Sequence, residues 1–250
     1  MIANNTTRLG KELWSDGGQG EMIDLYSAFN EQDEARYVIG RLQQCIAEGE
    51  AHSGIAILYR SNAQSRLFEE ALMTASVKYR VYGGLRFFDR AEIKDVLAYM
   101  RLTQNRDDDA AFERIINTPT RGIGERTLSI IRDGALANRT TLWVAALEVL
   151  RQGGLSARAQ NAVRQFVELL DQMEHLSKDL SLEAQAKTVI DASGLVDYFA
   201  KDKSEKGQSR IENIEEMINA AGAFQKPEED EDLSDVTSFL AHASLEAGEG

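Results

Sequence analysis

The hydrophobic pattern of this chain changes period once, at Gly83–Gly84, and that change constrains the fold more than any single motif. Before it, strand-like and helix-like stretches alternate. "MIDLYSA", 22–28, alternates apolar and polar residues. "GIAILYR", 54–60, is nearly continuous apolar and reads as a buried parallel strand, and "YRVYGG", 79–84, reads as a third short strand. Two helices lie between them. Asn30 can cap the first, whose Ala35, Val38, Ile39, Leu42 and Ile46 recur at helical spacing until Gly49 stops it. The second starts at Ser61 and sets Leu67, Leu72 and Met73 on one face. This order predicts a partial α/β unit with parallel strands over 21–83, after a lead-in at 1–20. It is too short for a whole doubly wound domain.

After Gly84 only helical periodicity remains. Helices are expected over 89–105 (strongly amphipathic), 109–116, 125–138, 140–151, 155–176, 181–192, 209–224 and 233–245. The acidic run "KPEEDED", 226–232, is expected to be a mobile loop. The expected fold is therefore mixed: partial α/β, then a mostly α-helical domain over 84–250.

Charge follows this division unevenly. The net charge of −13 opposes nucleic-acid binding if taken whole. Residues 60–139, however, hold 14 Lys and Arg against 11 Asp and Glu, a net of +3, while the rest carries −16. The single cysteine, Cys45, allows no internal disulfide and no zinc constellation, and suits a reducing, cytoplasmic compartment. No apolar run reaches the length of a membrane span, and the first residues show no export signal. Phosphate-loop, dinucleotide and zinc-protease motifs are absent from the sequence, which argues against a self-contained active site.

Two stretches of the basic segment carry binding chemistry. In "NTPTRGIGERT", 117–127, Pro119 ends a helix, Gly122 and Gly124 can take positive φ, Ile123 can point inward, and Glu125 opens a new helix. Free amides at that helix start, with Arg121 and Arg126 beside them, suit a backbone phosphate; the same glycines also suit a plain inter-helix turn. Arginines outside the hairpin, such as Arg151 and Arg158, are expected to matter little. In "LYRSNAQSR", 58–66, Arg60, Ser61, Asn62 and Gln64 crowd the end of the second expected strand. They can serve a phosphodiester, or Ser61 and Asn62 can merely cap the helix.

"AILYRSNAQSRLFEEAL", "YRVYGGLRFFDRAEIKDVLAYMRL" and "DDAAFERIINTPTRGIGERTL" resemble the UvrD/Rep/PcrA group of superfamily 1 DNA helicases, and "EKGQSRIENIEEM" and "LSDVTSFLAHASLEAGEG" carry the resemblance to the C-terminus. The resemblance implies a RecA-like second motor domain interrupted by a helical insertion, and ATP-driven 3′-to-5′ unwinding in DNA repair. It implies that Arg60 and Asn62 touch single-stranded DNA. It also implies that the helix-hairpin-helix element with Thr118, Thr120, Arg121, Gly122, Ile123, Gly124 and Arg126 holds the duplex. ATP and Mg²⁺ would belong to the parent enzyme and none to this portion, whose nucleotide motifs are expected outside 1–250. Implied partners are DNA, the remaining motor domains and repair proteins. The alternative is a non-enzymatic helical module for protein contacts, which the acidic 226–250 stretch favours.

Overall fold

In the computed structural model, residues 20, 22–81 and 85–247 are described. The expected boundary at Gly83–Gly84, the last residues of the third expected strand and nearly all of the lead-in lie outside them.

The helices begin where short polar side chains can take up free amides. Asn30, Asp108, Thr141, Ser156, Ser181 and Ser234 each accept from a backbone N–H of the following first turn. The helices so started are α1 (Glu31–Ala47), α4 (Asp109–Ile115), α6 (Leu142–Gln152), α7 (Ala157–Ser177), α8 (Leu182–Ser193) and α11 (Asp235–Glu246). Between them run α2 (Ser65–Thr74), α3 (Ala91–Gln104), α5 (Glu125–Asn138), α9 (Leu195–Phe199) and α10 (Glu205–Ala223). Gly194, at φ +75°, closes α8 in the left-handed region that favours glycine.

The α/β expectation is overturned: among the described residues there is no strand and no sheet, and the fold is helical. Residues 22–28 and 55–59 are neither helical nor paired. Met22, Ile23, Leu25 and Leu58 are 93%, 89%, 96% and 90% exposed. Their apolar pattern gives β propensity, but a strand needs a neighbour to take its amides and cover its face. Other boundaries shift less. The last long helix of the expected set starts at Glu205 rather than 209, and α9 is an additional short helix. The acidic 226–232 stretch makes contacts of its own. It contains a 3₁₀ turn, Lys226 bonds the carbonyl of Leu233 (3.0 Å) and pairs with Asp235 (3.4 Å), and Asp230 accepts from Ser238 (2.5 Å).

The core is built around α3, which contacts α4, α7, α8, α10 and α11. The amphipathic reading of this helix understates its burial: Glu92, Asp95 and Thr103 are enclosed along with Ile93, Val96, Tyr99 and Leu102. Each enclosed acid is met from another helix. Arg114 Nε bonds Asp95 at 2.7 Å, and Asn213 Nδ2 bonds Glu92 at 2.6 Å. The amide oxygen of Asn213 accepts from Arg90 (2.8 Å), which also reaches Ser65 (2.6 Å) and the carbonyl of Asn62 (2.8 Å). One buried amide thus joins a buried cation to a buried anion. Asn213→Ala should cost about 3 kcal/mol in urea unfolding, because two largely buried charges each lose a partner.

Glu69 on α2 is nearly enclosed, and its Oε1 has no hydrogen-bond partner among the described residues. Tyr79 donates to Oε2 at 3.3 Å. Burial pushes the Glu69 carboxyl up, against the pull of Ser65 and Arg90. The folded protein therefore holds this proton more tightly than the unfolded chain, and stability falls as pH rises through the window between the two values. Glu69→Gln should leave the melting temperature unchanged near pH ~4 and raise it near pH ~8, read by thermal denaturation at both.

Candidate nucleic-acid interface

The 116–126 hairpin is organised by Asn117. Its Oδ1 accepts from the amides of Arg121 (2.8 Å) and Ile123 (3.2 Å), closing the loop on one side chain. Ile123 is fully buried and anchors the turn in the core. Gly122 sits at φ +81°, where a side chain would strain the backbone. Gly124 differs from expectation: it is extended, at φ −91°, and caps α5. A Cβ there would meet nothing within 4 Å, so the fold itself does not call for glycine at 124.

The carbonyl of Gly124 accepts from Thr127 and Leu128, while the amides of Gly124, Glu125 and Arg126 have no acceptor among the described residues. All three residues are exposed. The Glu125 carboxylate is engaged by Arg132 (2.6 Å), which also holds Glu113. The start of α5 therefore presents a row of donors with its nearby acid already paired.

Arg121 does not join that row. Its guanidinium bonds the carbonyls of Ile115 (3.0 Å) and Pro119 (3.1 Å) and the Tyr99 hydroxyl, and it stacks on Phe166 at 5.5 Å. Tyr99 in turn donates to the carbonyl of Thr118 at 2.6 Å, and burial pushes its hydroxyl up to about 12. Arg121 is thus an internal strut of the hairpin. Thr118 is half-buried, while Thr120 and Arg126 face solvent.

A further cation comes from α7. Arg158 is exposed, and its Nε and Nη2 lie 4.0 Å from the position a Gly122 Cβ would take. It lies beside the hairpin although it is outside the hairpin in sequence. The sequence gives no signal for this, since α7 is brought to the hairpin by tertiary packing alone.

The 59–64 segment faces a different element. Gln64 Oε1 turns back to accept from the amides of Arg60 and Ser61, at 3.0 Å each, and so acts as a local cap. Ser61 donates to Glu212 Oε2 (2.7 Å) and Asn62 Nδ2 to Ser209 (3.3 Å), both on α10. The Arg60 side chain is exposed. Together these residues and α10 line a cleft of ≈ 850 Å³. The structure thus brings Arg60, Ser61 and Asn62 together against α10, and Gly122, Gly124 and Arg126 together at the hairpin.

This chain belongs to the UvrD-like helicase C-terminal domain family, whose match covers residues 1–250. Over 250 residues it is 54% identical to DNA helicase II of Escherichia coli strain K12, covering 100% of this chain and 35% of that protein. The figure is 49% over 249 residues for DNA helicase II of Haemophilus influenzae, covering 100% of this chain and 34% of that protein. It is 37% over 246 residues for the ATP-dependent DNA helicase PcrA of Bacillus subtilis, covering 98% and 33%. The chain thus spans about a third of the length of the curated relatives it matches.

Because Arg121 supports the hairpin from within, Arg121→Ala should lower stability by about 2 kcal/mol in urea unfolding. Arg121→Lys should recover little of it, since an ammonium cannot span the same carbonyls and stack on the ring.

Proposed function

We propose that this chain is a DNA-contacting portion of an ATP-dependent 3′-to-5′ DNA helicase acting in DNA repair, and that it grips duplex DNA through the hairpin at the start of α5. The observation that carries the duplex role is the row of unaccepted amides at Gly124, Glu125 and Arg126, with open space above Gly124 and the Arg126 and Arg158 side chains exposed alongside. Such a surface suits the phosphates of a duplex, contacts that position a protein without reading sequence. The family match and the helicase names of the relatives support the wider role.

Residues 84–250 act in this proposal as the helical insertion that reaches the duplex. Arg60 and Asn62, in the segment before it, act on the single strand. Gln64 supports them by holding the backbone at 60–61, and Ser61 supplies a hydroxyl at the same edge. ATP and Mg²⁺ are assigned to other parts of the parent, because the chain carries no phosphate loop. The remaining motor domains and repair proteins are the proposed protein partners.

Duplex binding by the chain should be weak, indifferent to base sequence and steeply salt-dependent, since it rests on phosphate contact in a chain of net charge −13. Gly124→Val should weaken it by about 1–3 kcal/mol while circular dichroism shows the fold retained, with a small loss of melting temperature from the poorer helix cap. Fluorescence anisotropy on labelled duplexes over a salt series reads both effects. Unchanged duplex affinity in the folded Gly124→Val variant would reduce the hairpin to a turn.

A further inference from the structure

Taking the single-strand role proposed above for Arg60 and Asn62 as its basis, we infer that the first turns of α10 form the opposite wall of a phosphodiester-binding cleft. In it, Lys206 is a strand-contacting residue and Glu212 occupies the place of a phosphate.

The cleft opens between the 59–62 segment and α10, and its volume of ≈ 850 Å³ is of the size that takes a nucleotide-scale ligand. Arg60 stands on one side, with Lys206, Ser209 and Arg210 on the other. These cations are not equivalent. Arg210 is already committed, lying 3.9 Å from Glu92 and 5.1 Å over the Phe199 ring. Lys206 is exposed and forms no ion pair among the described residues, although Asp202 is near enough to feel its charge. Lys206 is therefore the cation on this wall that can turn to an incoming phosphate.

The wall is fixed in place. Gly207 is buried, and a Cβ there would lie 2.0 Å from the carbonyl oxygen of Asp202, so the chain leading into α10 is pressed against its first turn. About two turns further on, Glu216 takes Arg66 Nε at 2.5 Å and Asn213 takes Arg90. These buried pairs hold α10 against the segment that carries Arg60 and Asn62.

Across the cleft, the hydrogen bonds run in a telling direction. The Ser61 hydroxyl donates to Glu212 Oε2 at 2.7 Å, and the Asn62 amide donates to Ser209. Both donors are spent on α10, one of them on a carboxylate. A phosphate oxygen has the same charge sign and the same acceptor character, so a nucleic-acid strand and Glu212 compete for one hydroxyl. Glu212 thereby sets the affinity of the cleft from within.

The test uses the 250-residue chain and a short fluorescein-labelled oligothymidylate, with anisotropy read over a salt series. Lys206→Ala should weaken binding roughly three- to tenfold and make the slope of log K against log salt shallower by about 0.7, the value for one lost single-strand phosphate contact. Glu212→Gln, which keeps the shape and removes the charge, should tighten binding by roughly two- to fivefold. Glu215→Gln, on the exposed side of the same helix, controls for net charge and should tighten it much less. Circular dichroism on each variant confirms the fold.

If Arg60→Ala weakens binding but Lys206→Ala changes neither affinity nor slope, α10 is not the second wall; the inference fails and the single-strand role stands. If Arg60→Ala changes nothing, the single-strand role itself fails. Equal tightening by Glu212→Gln and Glu215→Gln, or no tightening by the former, overturns the assignment of Glu212 as a phosphate stand-in.

Discussion

The enclosure of polar groups around α3 is the constraint on which the rest of the structure depends. A helix that is apolar on every side can be buried by any apolar neighbour in several orientations. One that carries Glu92 and Asp95 into the interior has few choices, because each carboxylate must find a donor. Arg114 answers Asp95 and so fixes α4. Asn213 answers Glu92 and so fixes α10. Tyr99, on the same helix, reaches the hairpin through the carbonyl of Thr118. The hairpin and the cleft are thus both registered against a single helix.

Much of the helical part was legible in the sequence because its signals are local. A cap such as Asn30 acts on residues within its own turn, and the 3.6-residue period gave the helix positions to within a few residues. The inward position of Ile123 was legible for the same reason. The strands were not: the alternation in "MIDLYSA" is a property of one segment, whereas a sheet is a property of pairs, and no partner lies beside it among the described residues. Gly124 was misread because a Gly-x-Gly pattern does not say which glycine carries the positive φ. The run of arginines was the least legible feature. Arg121 and Arg126 are five positions apart with like chemistry, yet the aromatic pair Tyr99 and Phe166 draws only the first inward.

The two proposed DNA-facing regions differ in how their donors are kept. At the hairpin, amides are left without acceptors at an exposed helix start, so an incoming phosphate displaces only water. At the cleft, the hydroxyl and amide donors of Ser61 and Asn62 already have internal acceptors. The first region suits a contact that is always ready. The second suits one that must be won against an internal competitor, and so responds to how firmly α10 is held by Arg66 and Arg90.

Gly122 and Gly124 stand two positions apart and answer to different masters. The backbone at 122 lies in a region that side chains rarely adopt, so that residue is dictated by the folded chain. At 124 the backbone is ordinary and the space above it is empty. In a library drifting under selection for folding alone, position 124 would fill with larger side chains while 122 stayed glycine. Selection for DNA engagement would hold both. The divergence between the two sites would then measure the demands of the ligand apart from those of the fold.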